Sequence, residues 1–496
     1  MTSRTADQTP EILLTPAAMA RVDAEAARSG IDSFALMLRA GQAVSAAALR
    51  LFPGARRFVV LCGPGNNGGD AYVAASALAR AGADVTVFSL VDISALKGDA
   101  ARAQAACHLP VHPMADYGPV SGDVVIDGLF GAGLTRDLPE FAQHAIGAIS
   151  AAGLPVLAID LPSGIDGATG AIRGAAFEAR HTVTFMTRKP GHLLLPGRLH
   201  CGVVEVYDIG IPRRIVAAEA ERMWVSGPAL WAGHGHATSA LDHKYRRGHL
   251  TVFSGPETAT GAARLTARAG LSAGAGLVTL ASPASALAVN AAHLTAIMLT
   301  KLDNAADLSS WLADTRRSTF VLGPGFGDLV RAREFALMLG KAGRSLVLDA
   351  DGISAFRNQP DLLRDAFGGA DTRLVVTPHE GEFARLFPEN AADTVMGKLE
   401  KAKAAAEASG GIVVYKGADT VIASPDGRVA IEEDAPATLA TAGSGDVLAG
   451  IIAARLANGM PAFEAACAGV HQHGQAALRA GQGMTADELV RHVRPD

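Results

Sequence analysis

The feature that most constrains this chain is a repeated unit: a short apolar run ends in a glycine-rich turn and is followed by an alanine-rich helical stretch. Residues 57–62 lead into GPGNNGGD at 63–70, and residues 320–322 lead into GPGFG at 323–327. Buried strands that alternate with helices form sheets covered by helices on both faces. The pattern therefore predicts an α/β protein.

The length of 496 residues exceeds what one hydrophobic core usually serves, which predicts two domains. The stretch from Trp224 to Gly235 contains several glycines and a proline, as is typical of a connection between domains. We place the boundary near Ala229, with domains at residues 1–228 and 229–496.

The amino-acid composition of the chain excludes several classes of binding partner. The net charge of −5 provides no electrostatic footprint for nucleic acid or for an anionic membrane. No stretch of about 18 residues is free of polar groups, so we expect no membrane-spanning helix. Asp7 and Glu11 lie where a signal peptide needs an apolar core, and the four cysteines show no CxxC spacing. We therefore expect a cytoplasmic protein that acts on small molecules.

Residues 441–450, TAGSGDVLAG, are the strongest candidate for chemistry in the second half. Gly443 and Gly445 let backbone amides approach an anion at the start of a helix. Asp446 in the first helical turn would face that anion and would be placed to take a proton from an attacking hydroxyl group. The alternative is a helix cap after a flexible loop.

In the first half, three successive predicted strands end in polar side chains. Asn67 and Asp70 follow the first strand, Asp127 ends the strand at 123–127, and Asp160 and Ser163 lie at the end of the strand at 154–160. Since ligands bind at the carboxyl ends of strands in such sheets, we expect these groups to converge on one site. A purely structural turn is the alternative for GPGNNGGD, and we predict that the next helix spans residues 71–81.

GPGNNGGD, DGLFGAGLTRD (127–137) and DLPSGID (160–166) resemble the signature blocks of the NAD(P)H-hydrate epimerase family, the YjeF N-terminal domain, over roughly Leu14 to Asp208. The resemblance implies a Rossmann-like, three-layer α/β/α domain that binds the hydrated nicotinamide nucleotide and a potassium ion. It places the K⁺ ligands at Asn67, Asp127 and Ser163. It places the nucleotide contacts at Asn66, Asn67, Gly68, Gly69, Asp70, Gly131, Ala132, Gly133, Leu134, Thr135, Arg136, Asp137, Asp160 and Lys189.

Within that resemblance, Asp160 is our candidate for proton transfer. Interconverting two epimers at ring carbon 6 requires a proton delivered to and removed from the dihydropyridine, and a carboxylate in a closed cleft can do both. Lys189 is either a site residue or a solvated surface charge. Ala71 stands where the family usually has glycine, which strains the backbone if that position needs a positive φ and is favourable if it begins a helix.

The second half resembles the ribokinase-like superfamily. GAGLV (274–278), GPGFG, LDAD (348–351), TPHEGEF (377–383), VYKGADT (414–420) and SGDVLAG (444–450) match, in order, the blocks of ADP/ATP-dependent NAD(P)H-hydrate dehydratases over about His243 to Ala480. The resemblance implies a ribokinase-like α/β/α domain with Asp446 as catalytic base. It implies hydrate contacts at Ala262, Gly325, His379 and Asp446, and adenine-nucleotide contacts at Lys416, Gly417, Ala418, Asp419, Thr420, Gly443, Ser444 and Gly445.

The same resemblance implies that Mg²⁺ bridges the phosphates of ADP or ATP. Glu380 and Glu382 are either ligands of that ion through water or solvated loop acids, and His379 is either a contact or an ordinary loop histidine. The histidines at 234, 236, 243 and 249 lie in a glycine-rich stretch, which favours a loose loop over a metal site.

Together the two resemblances predict a bifunctional repair enzyme. One domain epimerises R- and S-NAD(P)HX, the hydrates of NAD(P)H, and the other dehydrates S-NAD(P)HX at the expense of ADP or ATP, giving AMP or ADP and phosphate. Two alternatives are a vitamin or sugar-precursor kinase with a domain that only binds, and a nucleotide-sensing or scaffold protein. A homo-oligomer is expected. The nucleotide preferences, ADP or ATP and NADHX or NADPHX, stay open.

Overall fold

The computed structural model describes residues 9–234, 246–369 and 371–495. The chain divides into two compact units, one of Ile12–Met223 and one that contains Trp224 onwards with the segment before Ile12. The domain boundary near Ala229 stays a prediction. His236 and His243 lie outside the described residues. Within the described ranges, no helix has both the length and the apolar character needed to cross a membrane.

The N-terminal unit is built on seven parallel strands: β1 (Arg57–Cys62), β2 (Val85–Ser89), β3 (Val111–Pro113), β4 (Asp123–Gly128), β5 (Val156–Ile159), β6 (His181–Phe185) and β7 (Val203–Tyr207). Their order in the sheet is β3-β2-β1-β4-β5-β6-β7. The helices are α1 (Pro16–Arg28), α2 (Ser33–Leu51), α3 (Asn66–Arg80), α4 (Gly98–Ala106), α5 (Glu140–Ala151), α6 (Gly197–His200) and α7 (Arg213–Ala218).

Both faces of this sheet are covered, as the alternation along β1 shows. Phe58 and Val60 pack in one core with apolar residues of α2 and α3, whereas Val59 and Leu61 pack in a second core with α5. Successive side chains of a strand point to opposite faces, so each face has its own helical layer. The predicted three-layer α/β/α architecture is confirmed.

The strand order reverses direction between β1 and β4. From β1 the chain adds β2 and β3 on one side, then returns to place β4 on the other. The helices that follow β1 and β4, α3 and α5, pack on opposite faces of the sheet, and such a reversal forms a crevice at its carboxyl edge. Both glycine-rich motifs of the first half follow these two strands.

The helix after β1 begins earlier than predicted. It starts at Asn66, so the segment 66–70 forms its first turns and does not belong to the loop. Gly68 makes this possible, because a Cβ atom there would lie 2.0 Å from the carbonyl oxygen of Gly63. Ala71 lies inside the helix and is fully buried, so it meets the favourable case for alanine.

The C-terminal unit has a ten-stranded sheet in the order β11-β10-β9-β12-β13-β14-β15-β16-β17-β8. The strands are β8 (Met223–Val225), β9 (His249–Phe253), β10 (Leu277–Ser282), β11 (Met298–Lys301), β12 (Thr319–Leu322), β13 (Ser345–Leu348), β14 (Leu374–Val376), β15 (Ile412–Tyr415), β16 (Val421–Ala423) and β17 (Val429–Ile431). The strands from β11 to β15 in this order are parallel, and β16 pairs antiparallel with both β15 and β17.

The helices of this unit are α8 (Thr260–Ser272), α9 (Leu287–His293), α10 (Ala305–Leu312), α11 (Leu329–Lys341), α12 (Asp351–Ser354), α13 (Pro360–Phe367), α14 (Glu380–Leu386), α15 (Pro388–Ala392), α16 (Lys398–Ser409), α17 (Ser444–Ala457), α18 (Ala462–Ala480) and α19 (Ala486–His492). On one face of the sheet, Leu250 and Val252 of β9 share a core with α8, α17 and α18. On the other, Phe253 packs against Phe335 of α11 with ring centroids 5.4 Å apart.

Here the strand order reverses between β9 and β12. The loops leaving these two strands approach each other closely, since a Cβ atom on Gly255 would lie 1.7 Å from the carbonyl oxygen of Gly325. The glycine at 255 is therefore required by backbone packing. The C-terminal unit has its own switch point at the carboxyl edge, where ligands bind in such sheets.

Candidate functional sites

A cavity of about 470 Å³ opens at the switch point of the N-terminal unit. Its lining includes Asn66, Asn67 and Asp70 from the start of α3, and Gly131, Ala132 and Gly133 from the loop after β4. Asp160 and Lys189 complete its polar wall. The structure thus brings Asn67, Asp70 and Asp160, three of the polar groups predicted at strand ends, together in one cavity.

Asp160 follows β5 in a left-handed conformation with φ of 63°. Such a φ costs a residue with a side chain on the order of 1 kcal/mol, so the surroundings must impose it. Its amide donates to the Val183 carbonyl oxygen at 2.7 Å. His192 Nδ1 accepts from the Lys189 amide, so Nε2 donates to the Asp160 carbonyl oxygen at 2.8 Å. The backbone is thereby held so that the carboxylate faces the cavity.

The Asp160 carboxylate is the centre of a polar network. Oδ1 accepts from Lys189 Nζ at 2.7 Å and from Thr184 Oγ1 at 3.0 Å, and Oδ2 accepts from the Ala132 amide at 3.0 Å. Burial alone would raise the pKa of Asp160, but the charge and hydrogen bond of Lys189 lower it to about 2. Lys189 is only 2 % exposed, so it is no surface charge.

Beneath the cavity, Asp127 and Ser163 form a compact pair. Asp127 Oδ1 accepts from Ser163 Oγ at 2.6 Å, and Oδ2 accepts from the Ser163 amide at 2.7 Å. Burial raises the pKa of Asp127 to about 6, against the lowering effect of these bonds, and no described lysine or arginine is paired with it. The Nδ2 atom of Asn67 is also buried without a hydrogen-bond partner. A buried carboxylate without a cationic partner fits a bound monovalent cation, for which Asn67 would supply its amide oxygen Oδ1 and not the Nδ2 donor.

The structure separates the remaining predicted nucleotide contacts from this cavity. Gly68 and Gly69 serve packing, and a Cβ atom on Gly69 would lie 2.5 Å from the Met37 methyl carbon. Leu134, Thr135, Arg136 and Asp137 are absent from the described lining residues. Asp137 and its two predecessors are exposed further along the same loop.

The C-terminal unit gathers three carboxylates around one lysine at the carboxyl edge of its sheet. Lys416 Nζ donates to Asp349 Oδ1 at 2.9 Å and lies 3.6 Å from Glu382 Oε2. Burial alone would lower the pKa of Lys416, but the charges of these two acids raise it. Asp446 is the third acid. Burial and the nearby Asp349 charge raise its pKa to about 7, against the lowering effect of Lys416.

The residues before α17 shape an anion site. Gly443 caps the helix with φ of 85°, in the left-handed region that favours glycine. The Ser444 hydroxyl donates to the Leu439 carbonyl oxygen at 2.7 Å, which fixes the turn. A Cβ atom on Gly445 would lie 3.4 Å from Lys416 Nζ. Helix amides and a lysine thus converge on one point, an arrangement that favours a phosphate group.

A cavity of about 520 Å³ lies beside this turn. It is lined by most of the predicted adenine-nucleotide contacts, namely Lys416, Gly417, Ala418, Thr420, Ser444 and Gly445. Asp419 lies outside the lining and forms an ion pair with Lys398. Gly443 is also absent from the lining that the structure describes, and its contribution is the left-handed backbone conformation of the turn before α17. Oxygen donors for Mg²⁺ are present in the carboxylates around Lys416.

The predicted hydrate contacts lie in two places in the C-terminal unit. Gly325 and Ala262 are neighbours at the switch point, since a Cβ atom on Gly325 would lie 3.4 Å from that of Ala262. His379 lines the nucleotide cavity and caps α14, where its Nδ1 accepts from the Gly381 amide. Of the two acids considered for Mg²⁺, Glu382 lies in the cluster around Lys416, whereas Glu380 accepts a hydrogen bond from the Tyr415 hydroxyl.

Three residues of these sites were not identified as functional from the sequence. Asp349 follows β13, so the rule of polar residues at strand ends points to it, as it does to Asp160. Thr184 on β6 supports the Asp160–Lys189 pair. Asp23 reaches the first cavity from α1, and no local motif signals it.

Comparisons with known proteins agree with this geometry in both units. Residues 250–493 match the sequence profile of NAD(P)H-hydrate dehydratase, and residues 33–191 match that of the YjeF-related protein N-terminus. The chain is 33 % identical over 472 residues to the bifunctional NAD(P)H-hydrate repair enzyme Nnr of Escherichia coli (strain K12), covering 93 % of this chain and 88 % of that protein. It is 32 % identical over 509 residues to the bifunctional NAD(P)H-hydrate repair enzyme of Leishmania braziliensis, covering 95 % and 90 %.

Among solved structures, the ADP/ATP-dependent NAD(P)H-hydrate dehydratase from Bacillus subtilis, co-crystallized with ATP/Mg²⁺, is similar to part of the chain. It has 22 % sequence identity and a TM-score of 0.43, covering 52 % of this chain and 91 % of that one. The long matches to bifunctional relatives favour the repair-enzyme hypothesis over the kinase and scaffold alternatives. With a dehydratase site in one unit and an epimerase site in the other, the chain belongs to the family of bifunctional NAD(P)H-hydrate repair enzymes.

Proposed function

We propose that the N-terminal unit interconverts R- and S-NAD(P)HX at Asp160, and that the C-terminal unit dehydrates S-NAD(P)HX with Asp446 as catalytic base. The proposal rests on two carboxylates. Asp160 lies beside Lys189 in the cavity at the switch point of the first sheet, and Asp446 lies at the glycine-rich start of α17. We take residues 1–228 and 229–496 as the two functional domains.

In the C-terminal unit, Asp446 takes the proton of the C6 hydroxyl group as that oxygen attacks the terminal phosphoryl group of ADP or ATP. The product is a phosphate ester. Electrons of the ring nitrogen then expel phosphate, and loss of a proton from the adjacent ring carbon 5 restores the dihydronicotinamide. Support comes from the pKa of Asp446, about 7, which lets the residue accept a proton near neutral pH.

The backbone amides of Gly443, Ser444 and Gly445 stabilise the negative charge that develops on the transferred phosphoryl group. Lys416 lies next to the same turn and neutralises charge on the nucleotide. Asp349 and Glu382 are the candidate donors for Mg²⁺, which would neutralise the nucleotide phosphates when bound. ADP and ATP are both chemically suited to this site.

In the N-terminal unit, Asn67, Asp127 and Ser163 are the proposed ligands of K⁺, which would supply fixed positive charge next to the nucleotide when bound. The buried carboxylate of Asp127, on which no described lysine or arginine acts, supports this assignment. Asn66, Asp70 and residues 131–133 are proposed to hold the nucleotide in the cavity, and residues 134–137 of the same loop are proposed to contact the part of the nucleotide that extends beyond it. Lys189 keeps Asp160 ionised and oriented.

A cytoplasmic location and a homo-oligomeric state complete the proposal. All four cysteines are free and buried, which suits a reducing compartment. Exposed apolar side chains on and before the edge strand β7, those of Leu199, Val203 and Val206, offer a surface for a second copy. Light scattering on the purified protein tests the oligomeric state, because a mass near 50.8 kDa would mean a monomer.

The function is tested by giving the purified protein separated R- and S-NADHX, with and without ADP and Mg²⁺, while NADH formation and the epimer ratio are followed together. We expect R/S exchange without nucleotide and full conversion of both epimers with it. Replacing K⁺ by a larger organic cation is expected to slow the exchange alone. Unreacted epimers alongside phosphorylation of another hydroxylated acceptor would overturn the proposal.

A further inference from the structure

The cavity of the N-terminal unit contains a carboxylate that none of the steps above uses. Asp23 lies on α1, one residue after Val22, whose side chain is fully buried in the core. The Asp23 side chain is accessible to solvent and lines the cavity that contains Asp160 and Lys189. The carboxylate is therefore supplied to the cavity by an element separate from β5 and β6.

Epimerisation at ring carbon 6 involves protons at two atoms. Carbon 6 carries a hydroxyl group and is bonded to the ring nitrogen, so it is a hemiaminal. Opening requires a base to remove the hydroxyl proton while the C6–N bond breaks, with its electron pair moving to nitrogen. An acid must then protonate that nitrogen. Rotation and the reverse steps close the ring with the other configuration, and no proton is gained or lost.

Of these two roles, Asp160 is suited to that of the base at the hydroxyl group and not to that of the acid at the ring nitrogen. Its bonds to Lys189, Thr184 and the Ala132 amide keep it ionised at neutral pH, so it accepts a proton only transiently. A group that remains ionised is a poor proton donor. The ring nitrogen therefore needs a different acid.

We propose that Asp23 is the second proton-transfer residue of the epimerase, donating to the ring nitrogen as the hemiaminal opens and recovering that proton as it closes. The proposal rests on the epimerase function proposed for this unit. Asp23 reaches the cavity from α1, while Asp160 and Lys189 line it from the segments that follow β5 and β6.

The electrostatics of the cavity suit this role. Partial desolvation at the cavity raises the pKa of Asp23 to about 6, the Lys189 charge opposes that rise, and the Asp160 charge adds to it. The other charged groups lining the cavity are Asp70 and Asp99. Burial, with the charges of Asp160 and Asp23, raises the pKa of Asp70 well above its ordinary value. Asp99 is held by Ser33 and Arg102. Asp23 therefore titrates close enough to neutral pH to hold and release a proton, as an acid catalyst must.

The test compares Asp23→Asn with Glu25→Gln, which removes a carboxylate of the same helix that is paired with Arg28. Epimer exchange is measured without nucleotide, from separated R- and S-NADHX. Dehydration of S-NADHX with ADP, measured in the same preparation, reports that the chain is folded. We expect Asp23→Asn to lower kcat for exchange by about 100-fold, in the range of general acid catalysis, with KM within a factor of about three. Glu25→Gln should retain the wild-type rate.

Two further readouts separate proton transfer from a structural role. Ring opening needs protonated Asp23, so wild-type kcat/KM for exchange should fall as pH rises through about 6, and Asp23→Asn should lack that fall. Asp23→Glu keeps the acid and should restore part of kcat. An unchanged kcat, or a raised KM alone, in Asp23→Asn would overturn the proposal. Absence of exchange in the wild-type protein would instead overturn the epimerase function itself.

Discussion

Asp160 and Asp446 are both carboxylates near a lysine, yet their pKa values are displaced in opposite directions. Lys189 donates directly to Asp160 at 2.7 Å, and its charge lowers the pKa of that acid to about 2. Lys416 is instead engaged by Asp349 at 2.9 Å. Asp446 therefore experiences burial and a second carboxylate, and its pKa rises to about 7. The partner of each lysine thus decides whether the site carboxylate stays ionised at neutral pH, as Asp160 does, or titrates near it, as Asp446 does.

This difference predicts the pH dependence of dehydration. A base must be deprotonated to act, and Asp446 loses its proton as pH rises through about 7. We expect kcat/KM for S-NADHX at saturating ADP and Mg²⁺ to rise about tenfold per pH unit below that value and to level off above it. The measurement is NADH formation between pH 5.5 and 8.5.

The variant Asp349→Asn tests whether Asp446 is the group whose titration sets this pH dependence. Removing the Asp349 charge takes away one influence that raises the pKa of Asp446, so the rise in activity should shift to lower pH. A midpoint that stays in place would show that another group titrates.

At the scale of elements, both sites depend on loops that approach closer than side chains allow. Gly131, in the loop after β4, is the clearest case in the N-terminal unit. A Cβ atom there would lie 3.0 Å from both Asn67 Oδ1 and Asp160 Oδ2. The two side chains therefore share a space that the missing methyl group leaves open.

We predict that Gly131→Ala lowers the epimerisation rate at least tenfold, because the methyl group displaces Asn67 or Asp160. Gly133→Ala is the matched control in the same loop, since a Cβ atom at that position has nothing within 4 Å. Exchange of separated epimers is the assay, and dehydration should be unchanged in both variants. Equal effects of the two substitutions would refute the assignment.

The cap of α17 leads to a second comparison. Gly443 and Gly459 both have left-handed φ values, of 85° and 81°, so alanine at either costs about 1–2 kcal/mol of stability. Only Gly443 precedes the anion site, and Gly459 has open space around it. Gly443→Ala should therefore raise KM for ADP or lower kcat at least tenfold, while Gly459→Ala should only lower the melting temperature. Thermal unfolding and ADP titrations measure the two effects.

The sequence predicted those features that depend on local pattern. Strands that end in polar or glycine-rich residues, such as β5 before Asp160, follow from the chain itself, and so does the helix that begins near Ser444. Features set by long-range packing were missed. The burial of Lys189 depends on β5 and β6 pairing side by side, and Asp23 reaches its cavity only because α1 packs on the same unit. The early start of α3 at Asn66 required a close contact with Gly63.

At the scale of the whole molecule, each unit contains a complete sheet, a switch point and a site. The two reactions are chemically complementary, since one unit produces the epimer that the other consumes. A dehydratase specific for S needs the exchange reaction to clear R. Linking both units in one chain keeps their concentrations equal.

The central claim is that two separate sites carry the two reactions, and the variants Asp160→Asn and Asp446→Asn test it most directly. Each purified variant is assayed for R/S exchange without nucleotide and for ADP-dependent NADH formation from S-NADHX. We predict that Asp446→Asn loses NADH formation by at least 1000-fold and retains exchange, whereas Asp160→Asn loses exchange and retains NADH formation. A folded variant of either kind that had lost both reactions would contradict the two-site account.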